Sequence, residues 1–349
     1  MPDAHLKISE LRGQLSDALK RVTAGQRIVL ERYNGPTAAL VPLADYLALT
    51  RWDASRDALT QESSMTHRVV VTNISGGEGK STLVREIGFS LSARGYKVAL
   101  IDSDPQGSLT KSLGLHDQDA PLAAQDPSHS IVGVFEVEDH PRLGSPLSVK
   151  GVDVWISCDS LYRADTLIAS DLSKQGNLRE ALDALEGRYD FIVIDTKPGI
   201  TPLLNAAIAA ADHMVVPVSG DKGMENLDKL GRLTRAAKGF SPDIKVTLFV
   251  PNRQKANTVL GRQILEDLQA YRTLAPISRP LRDSVVVGEA ARMRQPLVSY
   301  NPRSEVAQDL EAVVDDLLTV LGLEADLAQT PRLEAASATG ADRLTRRSQ

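Results

Sequence analysis

Residues 73–82 read NISGGEGKST. The core of this stretch, Gly76-Gly77-Glu78-Gly79-Lys80-Ser81, has the make-up of a loop that wraps a phosphate. Glycines let backbone approach an anion closely, and successive N–H groups then converge on it. The common form of such a loop, G-x-x-x-x-G-K-[ST], asks for glycine six places before the lysine, and Ile74 stands there. The surroundings decide the reading. RVVVTN (68–73) is a β-branched run that reads as a strand, and STLVREIGFSLSARG (81–95) reads as a helix starting at the turn. Strand, Gly-rich turn and helix are the context the chemistry needs. In it Ser75, Gly76, Gly77, Glu78, Gly79, Lys80, Ser81 and Thr82 line a nucleotide. Lys80 is expected on the β- and γ-phosphates and the Ser81 hydroxyl on Mg²⁺. The competing reading is a Gly-rich turn with a chance lysine.

Two later motifs weigh against chance. KVALIDSDPQGSLT (97–110) is a strand ending in Asp102 and Asp104, then Pro-Gln-Gly. Carboxylates at the C-terminal end of a parallel strand sit beside the ligand crevice. One can help hold Mg²⁺ or its waters, and the other can orient an attacking water. By itself the pair reads equally well as acidic turn caps. YDFIVIDTKPG (189–199) is a third strand, ending in Asp195 in the manner of a Walker B segment, where the carboxylate acts on the metal.

Around these motifs the runs VVVTN, VALID, FIVID, HMVVPV and VTLFV alternate with helical segments. That pattern predicts an α/β fold, a doubly wound and mostly parallel sheet buried on both faces. It spans 67–323. Residues 1–49 form a separate small α+β module, 50–66 a polar linker, and 324–349 a tail whose small, charged composition reads as disordered. The chain has 349 residues, 24 % charged and 42 % hydrophobic, as in an ordinary globular protein. Its one cysteine, Cys158, excludes an intramolecular disulfide and reads as a small apolar residue. The start carries no signal-peptide core, and no run reaches about 18 apolar residues. A cytoplasmic protein is expected.

The order Gly-Gly-x-Gly-Lys-Ser, Asp-x-Asp-Pro-Gln-Gly, then an apolar strand ending in Asp resembles the ParA/MinD superfamily of P-loop ATPases, and the hexamer 102–107 resembles its ParA branch. The resemblance covers roughly 67–322. It implies ATP and Mg²⁺ as cofactors, slow hydrolysis of ATP to ADP and phosphate, and Asp104 as the residue that positions water. VPNRQ (250–254) resembles the segment whose asparagine, here Asn252, contacts adenine, and 280–310 resembles the closing region of the fold. One departure stands out. The deviant Walker A loop of this family carries a lysine where this chain has Ser75; a branch resembling the carboxysome-positioning McdA also has serine there. In the family that lysine crosses to the partner's nucleotide in an ATP-dependent homodimer. Lys197, two residues past Asp195, is the expected substitute, acting in cis or across the dimer. An exposed strand-exit lysine is the plainer reading of the same residue.

From Asn252 to Arg303 there are nine basic against four acidic residues, in a chain of net charge −5. Eight of the nine are arginine, which suits phosphate contacts. The resemblance implies non-specific DNA binding there, with Arg282, Arg292 and Arg294 as the expected contacts, against the alternative of a solvated basic surface. Residues 8–49 resemble the Phd/YefM antitoxin fold through Ser-Glu-x-Arg (9–12), Arg-x-Asn-Gly (32–35) and Leu-Val-Pro-Leu-x-x-Tyr (40–46). That resemblance implies dimerisation and operator DNA contacts at Arg12 and Arg32, with an ATPase in place of the toxin-binding tail. Dimerisation alone is the competing reading, since this stretch has only six basic against five acidic residues through position 50.

Taken together the expectation is a nucleoid-associated ATPase for plasmid or chromosome partition. It dimerises on ATP, holds non-specific DNA, is released by a ParB-like or adaptor partner, and regulates its own operon through the amino-terminal module. Two alternatives remain: a nucleotide-switched transcriptional regulator with negligible turnover, and an McdA-like positioning ATPase for a protein cargo. A MinD-like membrane cycle would need an amphipathic carboxy-terminal helix, and 324–349 has no apolar face flanked by basic residues. A metabolic P-loop enzyme would need a substrate-specific insertion, for which there is no candidate.

Overall fold

A computed structural model describes residues 4–24, 26, 28–32, 35–42, 65–115, 126–255 and 258–323, without the side chains of 4–14, 31–39 and 260. Contacts divide the chain into two units, Met1–Ser64 and Met65–Gln349. The linker 50–66, apart from its last two residues, and the tail 324–349 lie outside the described residues.

In the first unit, β1 (Ala4–Lys7) leads into the helix Ile8–Thr23, followed by β2 (Ile28–Arg32) and β3 (Gly35–Leu40). The sheet order is β1-β2-β3, the first pair parallel and the second antiparallel. Its core is Ala18, Val22, Ile28 and Leu30, with Leu40 packed against them. In sequence Leu11, Leu15, Leu19 and Val22 recur at the helical spacing of three to four, the pattern of one apolar stripe. Instead the ridge Ala18–Val22 faces the sheet, while Leu15 and Leu19 are 46 % and 51 % exposed. Ridges four residues apart lie on the same helix face, so turning in the small Ala18 turns the leucines out. A helix expected over 44–52 lies outside the described residues.

In the second unit seven strands take the order β10-β9-β4-β8-β5-β7-β6. These are β4 (His67–Val71), β5 (Val98–Asp102), β6 (Leu147–Val149), β7 (Val152–Trp155), β8 (Phe191–Asp195), β9 (His213–Val218) and β10 (Lys245–Pro251). Every neighbouring pair is parallel except β6 and β7. Alternate residues of each central strand enter opposite cores. Val70, Ala99, Ile101, Ile192 and Ile194 pack on one face, and Val69, Val71, Val98, Leu100, Phe191 and Val193 on the other. That is why these strands read as unbroken apolar runs.

The β6–β7 hairpin was not foreseen. Its turn is Lys150-Gly151, both at positive φ (49° and 84°), as a tight two-residue hairpin requires. The hairpin sets β7 beside β5 and closes that edge with an antiparallel strand.

Register then positions the motifs. Val71 of β4 and Asp102 of β5 both lie level with Asp195 of β8. All three strands therefore end together, at the edge where the helix Lys80–Ala93 begins. That helix lies directly on β5: a Cβ added to Gly88 would fall 2.5 Å from Leu100 Cδ2.

Candidate nucleotide site

The loop between β4 and the helix Lys80–Ala93 turns through Gly77 (φ 84°) and Gly79 (φ 79°), left-handed conformations that residues with a Cβ adopt at a cost. Gly79 is also the residue that caps the helix, so the first helical N–H groups face the loop. Lys80 is 6 % exposed, and its ammonium donates to the Ser75 carbonyl at 2.9 Å. Burial lowers its pKa, against the pull of Asp195, Asp104 and Glu78.

The strand exits are tied to one another. Ser103 Oγ donates to the Asp195 carbonyl at 2.5 Å, Thr196 Oγ1 to the Val71 carbonyl at 2.9 Å, and Gly199 N–H to the Ile74 carbonyl at 2.8 Å. Within this frame Asp195 is fully buried. Its Oδ1 accepts from Thr196 N–H at 2.9 Å, and among the described residues its Oδ2 has no hydrogen-bond partner. Burial first, then the Asp102 charge, pushes this carboxyl well above the usual range, against the Ser81 hydroxyl and the Lys80 ammonium. A buried carboxylate oxygen without a donor is costly unless something else meets it. With the Ser81 hydroxyl it suits Mg²⁺, a hard cation that takes its remaining ligands from phosphate and water. Among the described residues no cluster of three or more His, Cys, Asp or Glu could hold a metal unaided.

Asp102, the other expected metal residue, is differently engaged. Its Oδ2 accepts from Thr110 N–H (2.8 Å) and Thr110 Oγ1 (2.6 Å), and its Oδ1 from Asp104 N–H (3.2 Å). Burial holds its pKa at about 6, against the Thr110 hydrogen bonds. Both oxygens are thus occupied in anchoring the turn that carries Asp104. Thr110, which shapes this turn, escaped the sequence reading. Asp104 is 7 % exposed, and its Oδ1 accepts from Gln106 N–H at 2.9 Å.

Asn252, expected on adenine, is 4 % exposed and donates from Nδ2 to the Glu78 carbonyl at 2.7 Å. Arg253 follows in a left-handed conformation (φ 52°), its guanidinium 3.2 Å from the Gly77 carbonyl and 3.4 Å from Asp283. Beside them a cavity of about 310 Å³ opens from Gly79 and Thr82 and is walled by Leu281, Val287, Leu297 and Leu310. An apolar pocket continuous with a phosphate loop has the shape of a nucleobase subsite.

Lys197 is 21 % exposed and forms a 2.5 Å ion pair with Asp165, which also accepts from Leu203 N–H at 2.9 Å. To reach a phosphate it must leave that pair. Ser75, one end of the loop, is bonded to the segment after β9: its Oγ donates to the Lys222 carbonyl at 2.7 Å and accepts from Asn226 Nδ2 at 2.9 Å.

The basic residues separate into two kinds. Arg282 pairs with Asp309 (2.5 Å) and Glu305, and Arg279 pairs with Asp316 (2.9 Å), so both pin the helix Glu305–Leu321. Arg292 and Arg294 are exposed at the end of the helix Val285–Arg292. Lys150, from the hairpin, joins them by donating to the Arg294 carbonyl at 3.1 Å, a neighbour that sequence distance hid. Arg12 lies in the helix Ile8–Thr23 and Arg32 ends β2; their side chains lie outside the description.

Residues 66–245 match the family model described as an AAA domain. The sporulation initiation inhibitor protein Soj of Bacillus subtilis is 29 % identical over 242 residues, covering 69 % of this chain and 93 % of that protein. Among solved structures, a Cyanothece McdA–ATP complex is similar with a TM-score of 0.63 at 23 % identity, covering 75 % of this chain and 98 % of the other. Cobyrinic acid a,c-diamide synthase from Mycobacterium smegmatis, with a bound ATP analogue and magnesium, gives 0.60 at 25 % identity, covering 74 % and 96 %.

Proposed function

Because the chain belongs to the AAA-domain family of P-loop ATPases, of the ParA/MinD type, we propose that it is a partition ATPase that couples ATP hydrolysis to holding and releasing DNA. One observation carries the reading: the strands bearing Asp102 and Asp195 end level with β4, beside the Gly-rich loop, where Lys80 lies within electrostatic reach of Asp195 and Asp104 and the buried Asp195 Oδ2 has no partner among the described residues. The ATP analogue and magnesium bound by the similar synthase support Mg-ATP as the ligand.

In this reading the loop N–H groups from Gly76 to Thr82 and the Lys80 ammonium cradle the phosphates. Ser81 and Asp195 hold Mg²⁺, which when bound offsets phosphate charge. The base enters the cavity beside Thr82, next to Asn252. Asp104 orients the water that attacks the terminal phosphorus, and ADP and phosphate leave. Asp102 acts through the turn it anchors. Lys197 adds charge at the phosphate end once it leaves Asp165. Two chains associate on ATP, the surface of Arg292, Arg294 and Lys150 holds DNA without sequence preference, and a ParB-like or adaptor partner speeds hydrolysis. The amino-terminal module, Phd/YefM-like, reads operator DNA through Arg12 and Arg32.

The test is binding of the full chain to a random-sequence duplex, with ATP and with ADP, at two salt concentrations, alongside ATP turnover. Salt-sensitive binding with ATP only, together with turnover, is expected. Tight binding indifferent to nucleotide, without turnover, would replace this reading with that of a DNA-binding regulator.

A further inference from the structure

Two consecutive residues at the end of β10 grip two consecutive carbonyls of the phosphate loop. Asn252 Nδ2 donates to the Glu78 carbonyl at 2.7 Å, and Arg253 Nη1 donates to the Gly77 carbonyl at 3.2 Å. A nest built from N–H groups needs those groups free for the anion, and a grip on carbonyls leaves them so.

The backbone here is bent out of its pairing. Leu281 N–H donates to the Pro251 carbonyl at 2.8 Å, Gln254 N–H to the Leu281 carbonyl at 2.9 Å, and Asp283 N–H to the Gln254 carbonyl at 2.9 Å. Asn252 and Arg253 fall between these pairings. Arg253 takes a left-handed conformation (φ 52°), and Asn252 Oδ1 accepts its N–H at 2.9 Å. Such a conformation strains a residue that has a Cβ, persists only where neighbours hold it, and collects at ligand clamps and switches.

The same guanidinium reaches a second element. Arg253 Nε lies 3.4 Å from Asp283 Oδ1. Asp283 belongs to the stretch Leu281–Ser284, which walls the base cavity together with Gly79 and Thr82. A second cavity, of about 260 Å³, is lined by Ser219, Gln254, Lys255 and Thr258. Arg253 and Asp283 line both cavities, so their ion pair is the partition between the two. With side chains 56 % and 36 % exposed, the pair stands at the surface, on the rim of the base cavity.

We infer that Arg253 and Asp283 form a strap across the rim of the base subsite, which opens to pass nucleotide and so sets the rate of nucleotide exchange. The inference rests on the ATPase reading above and deepens it, naming what regulates traffic through the same site. An exposed ion pair is weakly held, so the strap slows exchange without blocking it. It closes over the empty and the filled cavity alike. Entry and exit are therefore retarded by the same factor, and affinity is left in place. The pair takes no part in the chemistry at the phosphates.

The experiment compares the full-length chain with Arg253→Ala, Asp283→Asn and the double variant. Calorimetry gives Kd for ADP with Mg²⁺, and release of tritiated ADP is followed after a chase with excess unlabelled ADP. Alanine keeps the Cβ, and asparagine keeps the shape of aspartate, so each substitution removes one end of the strap and leaves the backbone pairing in place. Each single variant should release ADP faster by roughly fivefold, the scale of one exposed ion pair, with Kd unchanged. The double variant should be no faster than the faster single, because the two ends make one strap. Unchanged release in both single variants overturns the inference. Faster release with Kd rising in proportion also overturns it, because that marks a lost contact with nucleotide rather than an opened strap. Effects that multiply in the double variant overturn it too. An unaltered chain that binds no nucleotide would refute the nucleotide site, and the strap with it. Binding without ATP turnover would refute the ATPase reading alone, and the release rates would still decide on the strap.

Discussion

Asp195→Asn should raise the stability of the nucleotide-free protein at neutral pH and abolish its stabilisation by Mg-ATP. Two carboxyls on adjacent strand ends, Asp102 and Asp195, have raised pKa values, chiefly through burial. For Asp102 the rise is from 3.8 to about 6. A shift of about two units corresponds to roughly 3 kcal/mol. The sign follows from the folded carboxyl keeping its proton longer than the unfolded one. This stability is complete below about pH 4, is lost as pH rises through about 6, and is absent at pH 7.5. The structure thus tolerates like charges at rest that Mg²⁺ and Lys80 can use when ligand arrives. Replacing Asp195 with Asn keeps the acceptor for Thr196 N–H and puts an amide nitrogen where Oδ2 has no partner. Removing one buried like charge should gain about 1–2 kcal/mol at pH 7.5, and a melting temperature higher by roughly 3–6 °C. Thermal unfolding between pH 5 and 8.5, with and without saturating Mg-ATP, reads both effects. Ligand at about 100 times Kd stabilises the unaltered protein by about 2.7 kcal/mol, and the variant should show little of this. Burial gives His213, on the far edge of the sheet, a pKa of about 4, so its contribution has the opposite slope and falls as pH drops from about 6.5. The comparison is therefore variant against unaltered chain at each pH. A variant less stable at pH 7.5 without nucleotide, or one stabilised fully by Mg-ATP, would refute the reasoning.

Gly79→Ala should destabilise the protein by roughly 1–3 kcal/mol, from left-handed strain and from the displaced Asn252 amide, which would lie 2.5 Å from the new Cβ. Its melting temperature should drop and nucleotide affinity should fall with it; unchanged affinity would show that the loop is not the site. Arg292→Ala should weaken binding to random duplexes evenly and lower the salt slope by about one. Arg282→Ala should leave that slope unchanged while lowering the melting temperature, because Asp309 and Glu305 occupy its guanidinium. Equal effects of the two substitutions on the slope would show that Arg282 exchanges its carboxylates for DNA.

The contrast between those two arginines shows what a sequence can and cannot reveal in this molecule. Parallel strands buried on both faces have to be apolar throughout, so FIVID and VALID announce themselves and the carboxylates that end them fall at the sheet's carboxyl edge. The loop is legible for a related reason: turns at φ 84° and 79° next to a helix start leave glycine little competition. Arg282 and Arg292, by contrast, carry the same local signal. One is neutralised by a helix more than twenty residues later, and the other stays exposed. Asp102 and Asp195 were likewise read as alike, yet Thr110 takes both hydrogen bonds at one oxygen of the first and leaves the second with an orphan. The clearest case is Ser75. In sequence it is only a missing lysine, because its partners stand about 150 residues away. In the fold its hydroxyl donates to the Lys222 carbonyl and accepts from the Asn226 amide, contacts that no local pattern announces. Propensity and period act over a few residues, whereas ion pairs, hydroxyl contacts and the choice of which carboxylate stays bare are set by tertiary neighbours. The type of chemistry was therefore readable from motifs, and the assignment of charge within the site was not.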